Sequence, residues 1–493
     1  VGATQSALAQ GAAARLDNAS VSVQYEQFTL PGNETMGMAA IGVAKEFAPN
    51  LELGIASYAA VRGERGGFIT LGLSAKKLWH MSPIWSLEAG GFVGAGGGRG
   101  GYTLSGGGLM LRGHAGLTLE LQPLAGLPGR VSLGVSRVSF PNGSIASTQP
   151  YVSYDLPFQI FNRPGFSATG SETLRGEELA RLNPRSHEMG VVFRRYKVAS
   201  GTLNDSGGPQ ADFDLLGIEW RASLGPHLYA KMETEGAMGG GATGYMQILG
   251  GLGARLPLTN RLTAKASASI GGGGGGGVDT GGGFLLDAGL SMQFDLTPKW
   301  YTELALQHLR ATSGPFKANS LALLVGYRFG REVGGSDSVV FDPHFLRIRT
   351  ANQTYLQASD NWRSHNAEQR VQNLGVQIDA FLNPNLYLTG QGLAAWKGDA
   401  GAYMTGQVGA GLNWPITRNV ALEAEGLLGA AGGGGLRMGT GIVAQINAGA
   451  IWQISEAVSL HANLGHLRAL NGDFRAHVVG IGLGYRFTGF TSR

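Results

Sequence analysis

The sequence predicts an all-β fold: a transmembrane antiparallel β-barrel of about 24 strands, built from three eight-strand units. Three observations carry this expectation. Apolar residues alternate with small or polar ones, with a period of two, nearly everywhere outside the ends and linkers. Charged residues make up only 15 % of the chain, against roughly 25 % in soluble domains. One strand ending also recurs: VVGIGLGYRF closes at Phe487, LALLVGYRF at Phe329, and a fainter PYVSYDLPF at Phe158.

The alternation sets the environment of each face. In the last strand Val479, Ile481, Leu483, Tyr485 and Phe487 share one face, opposite Gly480, Gly482, Gly484 and Arg486. NLGVQIDAFL sets Leu374, Val376, Ile378, Ala380 and Leu382 against Gly375, Gln377 and Asp379. A soluble sandwich also alternates. Here, however, the second face is rich in Gly, Ala, Ser, Thr, Asn and Gln rather than the Lys and Glu of a solvated sheet. The strands are near the 9–11 residues that cross a bilayer on a tilt, and in lipid they must close so that every backbone group is paired.

The elements follow in order. Residues 1–20 read as a helical or linker segment, and residues 21–158 as the first barrel unit. A periplasmic connector is expected at 159–186, in which SETLRGEELARL forms a short helix capped by Ser171 or Thr173. Residues 187–329 form the second unit, 330–343 a second connector, 344–487 the third unit, and 488–493 a C-terminal extension. Within the units, penultimate strands align Arg137, Arg310 and Arg468, and fifth strands align Glu88, Lys265 and Glu423. Turns align Pro49, Pro226 and Pro384, and then Pro83, Pro257 and Pro415. Proline cannot donate to a ladder, so these positions mark strand junctions. One continuous ring is expected, because both connectors can serve as turns and consecutive strands usually pair. The alternative is three tandem eight-stranded barrels, each too narrow for a solute.

Composition excludes several classes. Glycine is abundant at 83 residues, without the collagen period. There is no cysteine for disulfides or thiolate metal sites, and a net charge of +4 is too small to argue for nucleic acid. No run approaches the 18 apolar residues of a helical span. The first residues lack the regions of a signal peptide, which suits a processed or partial chain. The glycine runs carry no phosphate-loop motif, and the histidines show no metal spacing. Neither an enzyme nor a cofactor is expected. A pairing of His466 with Asp473 is far less expected than a repeat-derived lumen histidine, the reading given to His308 and His466.

The closing alternation Val479, Ile481, Leu483, Tyr485, Phe487 resembles the terminal strand of the Gram-negative outer-membrane β-barrel class. That resemblance implies an outer-membrane location, lipid contact, and insertion by the barrel-assembly machinery through Tyr485 and Phe487. The extra TGFTSR departs from the class, which usually stops at the aromatic. In that class both termini face the periplasm. Short proline turns would then lie there, with SGTLNDSGGPQAD, QASDNWRSHNAEQRVQ and the glycine runs (94–108, 271–283, 429–435) outside. The glycine runs read either as flexible tips or as places of close backbone approach. Barrels preceded by helical segments are similar to exopolysaccharide exporters, which implies periplasmic export or scaffold partners.

The expected lumen lining is Glu88, Tyr229, Lys231, Glu233, Glu235, Lys265, Tyr387, Gln391, Glu423 and Glu425. Such residues line a hydrated passage or pair across the interior. The function expected is a channel passing a hydrophilic solute or polymer, with exopolysaccharide export as its sharper form. The competing reading is a surface-binding barrel, an adhesin or phage receptor, acting through the glycine-rich loops.

Overall fold

In the computed structural model the described residues are 13–100, 103–104, 106–166, 170–182, 185–330 and 338–493. The chain forms three closed antiparallel rings of eight strands each, not one ring of 24. In the first, the opening strand Arg15–Thr29 pairs with the eighth, Ala146–Pro164, through Ala19 opposite Phe158. In the second, His187–Val198 pairs with Lys317–Phe329, His187 lying opposite Phe329. In the third, Ser338–Gln357 pairs with Arg475–Ser492 through Ile348 and Tyr485. The expectation of a single ring is therefore corrected. It required the strand ending near Phe158 to pair with the strand starting at His187, whereas that strand returns to the beginning of its own unit. The physical reason lies inside: long charged side chains fill a narrow ring, whereas a wide one would leave them in water.

The rings meet in a cyclic order. The third strand of the first ring, Leu51–Arg62, touches the fifth of the second, Leu262–Gly274. The third strand of the second, Leu228–Gly240, touches the fifth of the last, Val420–Gly432. The third strand of the last, Leu386–Lys397, touches the fifth of the first, Trp85–Gly97, which closes the pseudo-threefold. The glycine runs belong to this seam. Gly66 N donates to Gly281 O at 2.8 Å, Thr243 Oγ1 to Gly439 O at 2.6 Å, and Gly401 N to Gly106 O at 2.8 Å, one bond at each junction. A Cβ on Gly272 would lie 2.5 Å from that of Ala59. This is the close-approach reading of the glycines.

At the opposite end, where Arg15 and the C-terminal residues lie, a small sheet ties the first and last rings together. Phe487 pairs with Pro164 and Gly489 with Asn162, while Ser338–Phe341 pairs with the short strand Glu172–Arg175. Residues 488–492 thus continue the last strand rather than trailing from it. Two local expectations change here. Arg15–Ser20 are strand, held by the first ring, while the helix expected before them falls outside the described residues. Thr173 lies in a strand opposite Val340, and Ser171 donates to Asp342 at 2.9 Å, so neither caps a helix; Gly176–Leu182 is the helical part.

The outer surface away from the seam is apolar. Leu290 is 67 % exposed and Leu464 66 %. At the end where Arg15 lies, Trp79, Trp85, Trp300, Trp414 and Trp452 stand exposed as a girdle, the placement of tryptophan at a bilayer interface.

Candidate functional site

Each ring interior has two layers. The middle layer is polar and paired. In the second ring, Arg194 from the first strand donates from Nε to Glu235 at 2.9–3.0 Å and reaches Glu233 at 3.2 Å and Gln307. Lys231 sits between Glu233 at 3.1 Å and Glu219 at 3.3 Å. Arg221 and Lys265 share Glu303, at 2.5 and 3.1 Å, beneath the Tyr229 ring. The void left among these groups is about 20 Å³, room for roughly one water.

The third ring repeats the scheme with other residues. Arg347 and Arg349 are two apart and therefore share a face. Arg347 holds Asp379 at 2.6 Å and Glu423 at 3.1 Å. Arg349 bonds Asp379 at 2.8 Å, Glu423 at 3.1 Å and Glu425. Tyr387 donates to Glu425 at 2.8 Å, and Gln391 joins Gln353, Gln407 and Gln445 in an amide chain. In the first ring Glu88 accepts from Thr118 and Ser132 at 2.9 Å and from Tyr151 at 2.5 Å. Arg112 meets Glu26 at 2.9 Å nearby.

Towards the glycine-rich end an apolar layer closes each ring. Phe28, Phe68 and Phe140 pack in the first, Tyr196, Tyr245 and Phe316 in the second, and Tyr355, Tyr403 and Phe474 in the third. Phe28, Tyr196 and Tyr355 match from unit to unit, as do Phe68, Tyr245 and Tyr403; Phe316 and Phe474 match each other, while Phe140 stands across the turn from their counterpart Ile145. Ring centroids lie 5.7 Å apart for Phe68–Phe140, 5.9 Å for Tyr245–Phe316 and 6.2 Å for Tyr355–Phe474.

The ten residues expected to line a lumen all point inward and are brought together, ring by ring, as partners within these networks. Arg194, Arg347, Arg349 and Glu303, which join them, were missing from the sequence reading, although alternation alone puts each on the inward face. The aromatic layer was missing too. Its signal was an aromatic at one matched place per unit: Phe68, Tyr245 and Tyr403 each follow a small residue at the start of a strand.

The repeat-matched polar residues fall elsewhere. Arg137, Arg310, Arg468 and His308 are on the outward face, as is the half-buried His466. The lumen placement of the histidines is corrected by parity: Glu303 and Gln307 point inward, so His308 points out, its Nδ1 2.8 Å from Asn319. His466 faces His477, while Asp473 lies 3.6 Å from Arg437. Tyr485 packs on Phe47 of the first ring at 5.2 Å, and Phe487 lies beside it. Among the described residues no cluster of three His, Cys, Asp or Glu could hold a metal.

No family model matches the sequence, and no curated protein does. Among solved structures, a ferric enterobactin receptor variant from Pseudomonas aeruginosa in complex with enterobactin is 11 % identical. The match covers 97 % of this chain and 82 % of that one, with a TM-score of 0.27. The siderophore receptor PirA from Acinetobacter baumannii is 10 % identical over 97 % and 81 %, TM-score 0.27. OpdQ from Pseudomonas aeruginosa is 10 % identical over 96 % and 97 %, TM-score 0.22. Superpositions this loose say nothing of arrangement or cargo. The habitat follows instead from the chain itself: closed rings that turn leucine outward and charge inward need a lipid solvent around them. Its fold is that of a membrane-spanning β-barrel.

Proposed function

We propose that this protein acts through the surface at its glycine-rich end, with the three rings as a rigid membrane anchor, so that it is a binding barrel rather than a wide conduit. The observation that carries the reading is the aromatic layer lying across an interior of paired charged groups. A hydrated polymer needs a lumen wider than an eight-stranded ring provides, so polysaccharide export finds no support in this geometry. The glycines are taken up in the seam. The long segments 199–212 and 358–369 therefore form the binding surface, and this end faces outward. Insertion through Tyr485 and Phe487 by the assembly machinery, and contact of periplasmic proteins with the end where Arg15 lies, belong to the same proposal.

Planar-bilayer recording tests it. The wild-type protein should show no large steady conductance, and replacing segments 199–212 and 358–369 with short turns should abolish cell-surface binding without opening a pore. A large steady conductance from the wild type would contradict the reading. The polar layers under the aromatics favour a second reading, a narrow gated path for water or small ions. On that reading Tyr245→Ala with Phe316→Ala creates conductance, and on the first it lowers stability alone.

A further inference from the structure

The outward face at the glycine-rich end carries an arrangement that folding by itself disfavours. In the second ring Arg310 lies directly opposite Lys317 on the neighbouring strand, and in the third Arg468 lies opposite Arg475. All four are exposed. Like charges facing each other across a strand pair repel, and here the repulsion is written twice, at matched places. Among the described residues no acidic side chain pairs with any of the four. In the first ring the same place, the last pair before the turn, holds Ser139 opposite Ala146, with no cation at all. Interior cations of this protein, by contrast, are matched with carboxylates ring by ring.

Position narrows what could compensate the charge. Each pair stands just beyond the exposed apolar belt: Leu306 is 64 % exposed two outward positions below Arg310, and Leu464 holds the same place below Arg468. Lys197 adds a further exposed cation opposite Asn319. A ligand here meets two cations at the height of a headgroup and leucines at the height of acyl chains.

We propose that the Arg310–Lys317 and Arg468–Arg475 pairs each bind the phosphate of a membrane lipid whose headgroup bears a phosphate monoester, with its acyl chains along the leucine belt. A guanidinium gives two parallel donors to phosphate oxygens, and the neighbouring cation supplies the second positive charge. The occupant is a lipid rather than a free anion because the pairs adjoin the apolar belt. The site is outside the rings and does not depend on whether they conduct.

The full chain in detergent is titrated with dioleoyl phosphatidic acid or dioleoyl phosphatidylcholine, and bound lipids are counted by native mass spectrometry. Two phosphatidic acids should bind, favoured by about thirtyfold over phosphatidylcholine, the weight of two cations near an anionic headgroup. R310Q/K317Q should lose one lipid, and R468Q/R475Q the other. Arg310→Lys, which keeps the charge, should retain its lipid. The single changes K317Q and R475Q, each relieving repulsion, keep the test open should a double variant misfold. Equal binding of the two lipids, or double variants that keep both, would overturn the proposal. So would release of the lipid by excess inorganic phosphate, which would make the site one for a free anion.

Discussion

The rings have two outer faces built from the same strand parity, and they have opposite compositions. Facing the bilayer, Leu290, Leu304, Leu306 and Leu321 stand more than half exposed. Facing a neighbouring ring, the outward positions at the glycine-rich end of Leu262–Gly274 are Gly272 and Gly274, buried against Ala59, Ala60 and Gly66, while Ile270 just below them is 55 % exposed. Lipid is a compliant solvent that any bulky apolar side chain satisfies. A second ring is a rigid one, and backbones approach it closely only over small residues, as helices do in membranes. The difference teaches that outward does not mean lipid-facing.

The sharpest way to break this comparison is charge. Leu290→Arg, near the middle of its strand, should destabilise the fold by about 2–4 kcal/mol, read as a fall in the denaturant midpoint of folding into liposomes. Next is bulk: Gly272→Leu should cost about 1–3 kcal/mol through overpacking against Ala59. Its particular signature is lost cross-linking between cysteines placed on the first two rings, with the ring folds intact. Leu290→Ala should cost under about 1 kcal/mol, because lipid fills the space a rigid neighbour would leave as a cavity. If Gly272→Leu proves as mild as Leu290→Ala, the seam is not packed as described.

The smallest effect sits at the glycine-rich rim. Arg65 donates to Glu34 at 2.6–2.8 Å, and this hydrogen bond holds the Glu34 carboxyl below its ordinary value. A carboxyl depressed in the folded state adds stability above its unfolded value, and that stability is lost as pH falls through the folded one. The pair is partly exposed, so at most about 1 kcal/mol is involved. Wild-type stability should therefore fall slightly more than that of Glu34→Gln on acidification below the ordinary carboxylate range.

Much of the fold was legible in the residues. Alternation gave strand identity and the inward set, and the prolines marked turns at one end. Ring closure was not legible, because Phe158 could join either its own first strand or the next unit's with equally good alternation. Two signals bore on it. Long inward side chains such as Arg194 and Arg347 suit a narrow ring, and outward glycines such as Gly272 make a poor lipid face. Of the site, the inward residues could be read but their partners could not. Pairing Arg221 with Glu303 depends on which strands face each other across a ring, and that geometry appears only once the ring is closed.

The central claim is three filled rings in one chain. A projection of the protein in lipid nanodiscs by electron cryo-microscopy, viewed along the membrane normal, tests it directly. The account predicts three small rings about a pseudo-threefold centre, each with density inside. One continuous ring around an open lumen would contradict it.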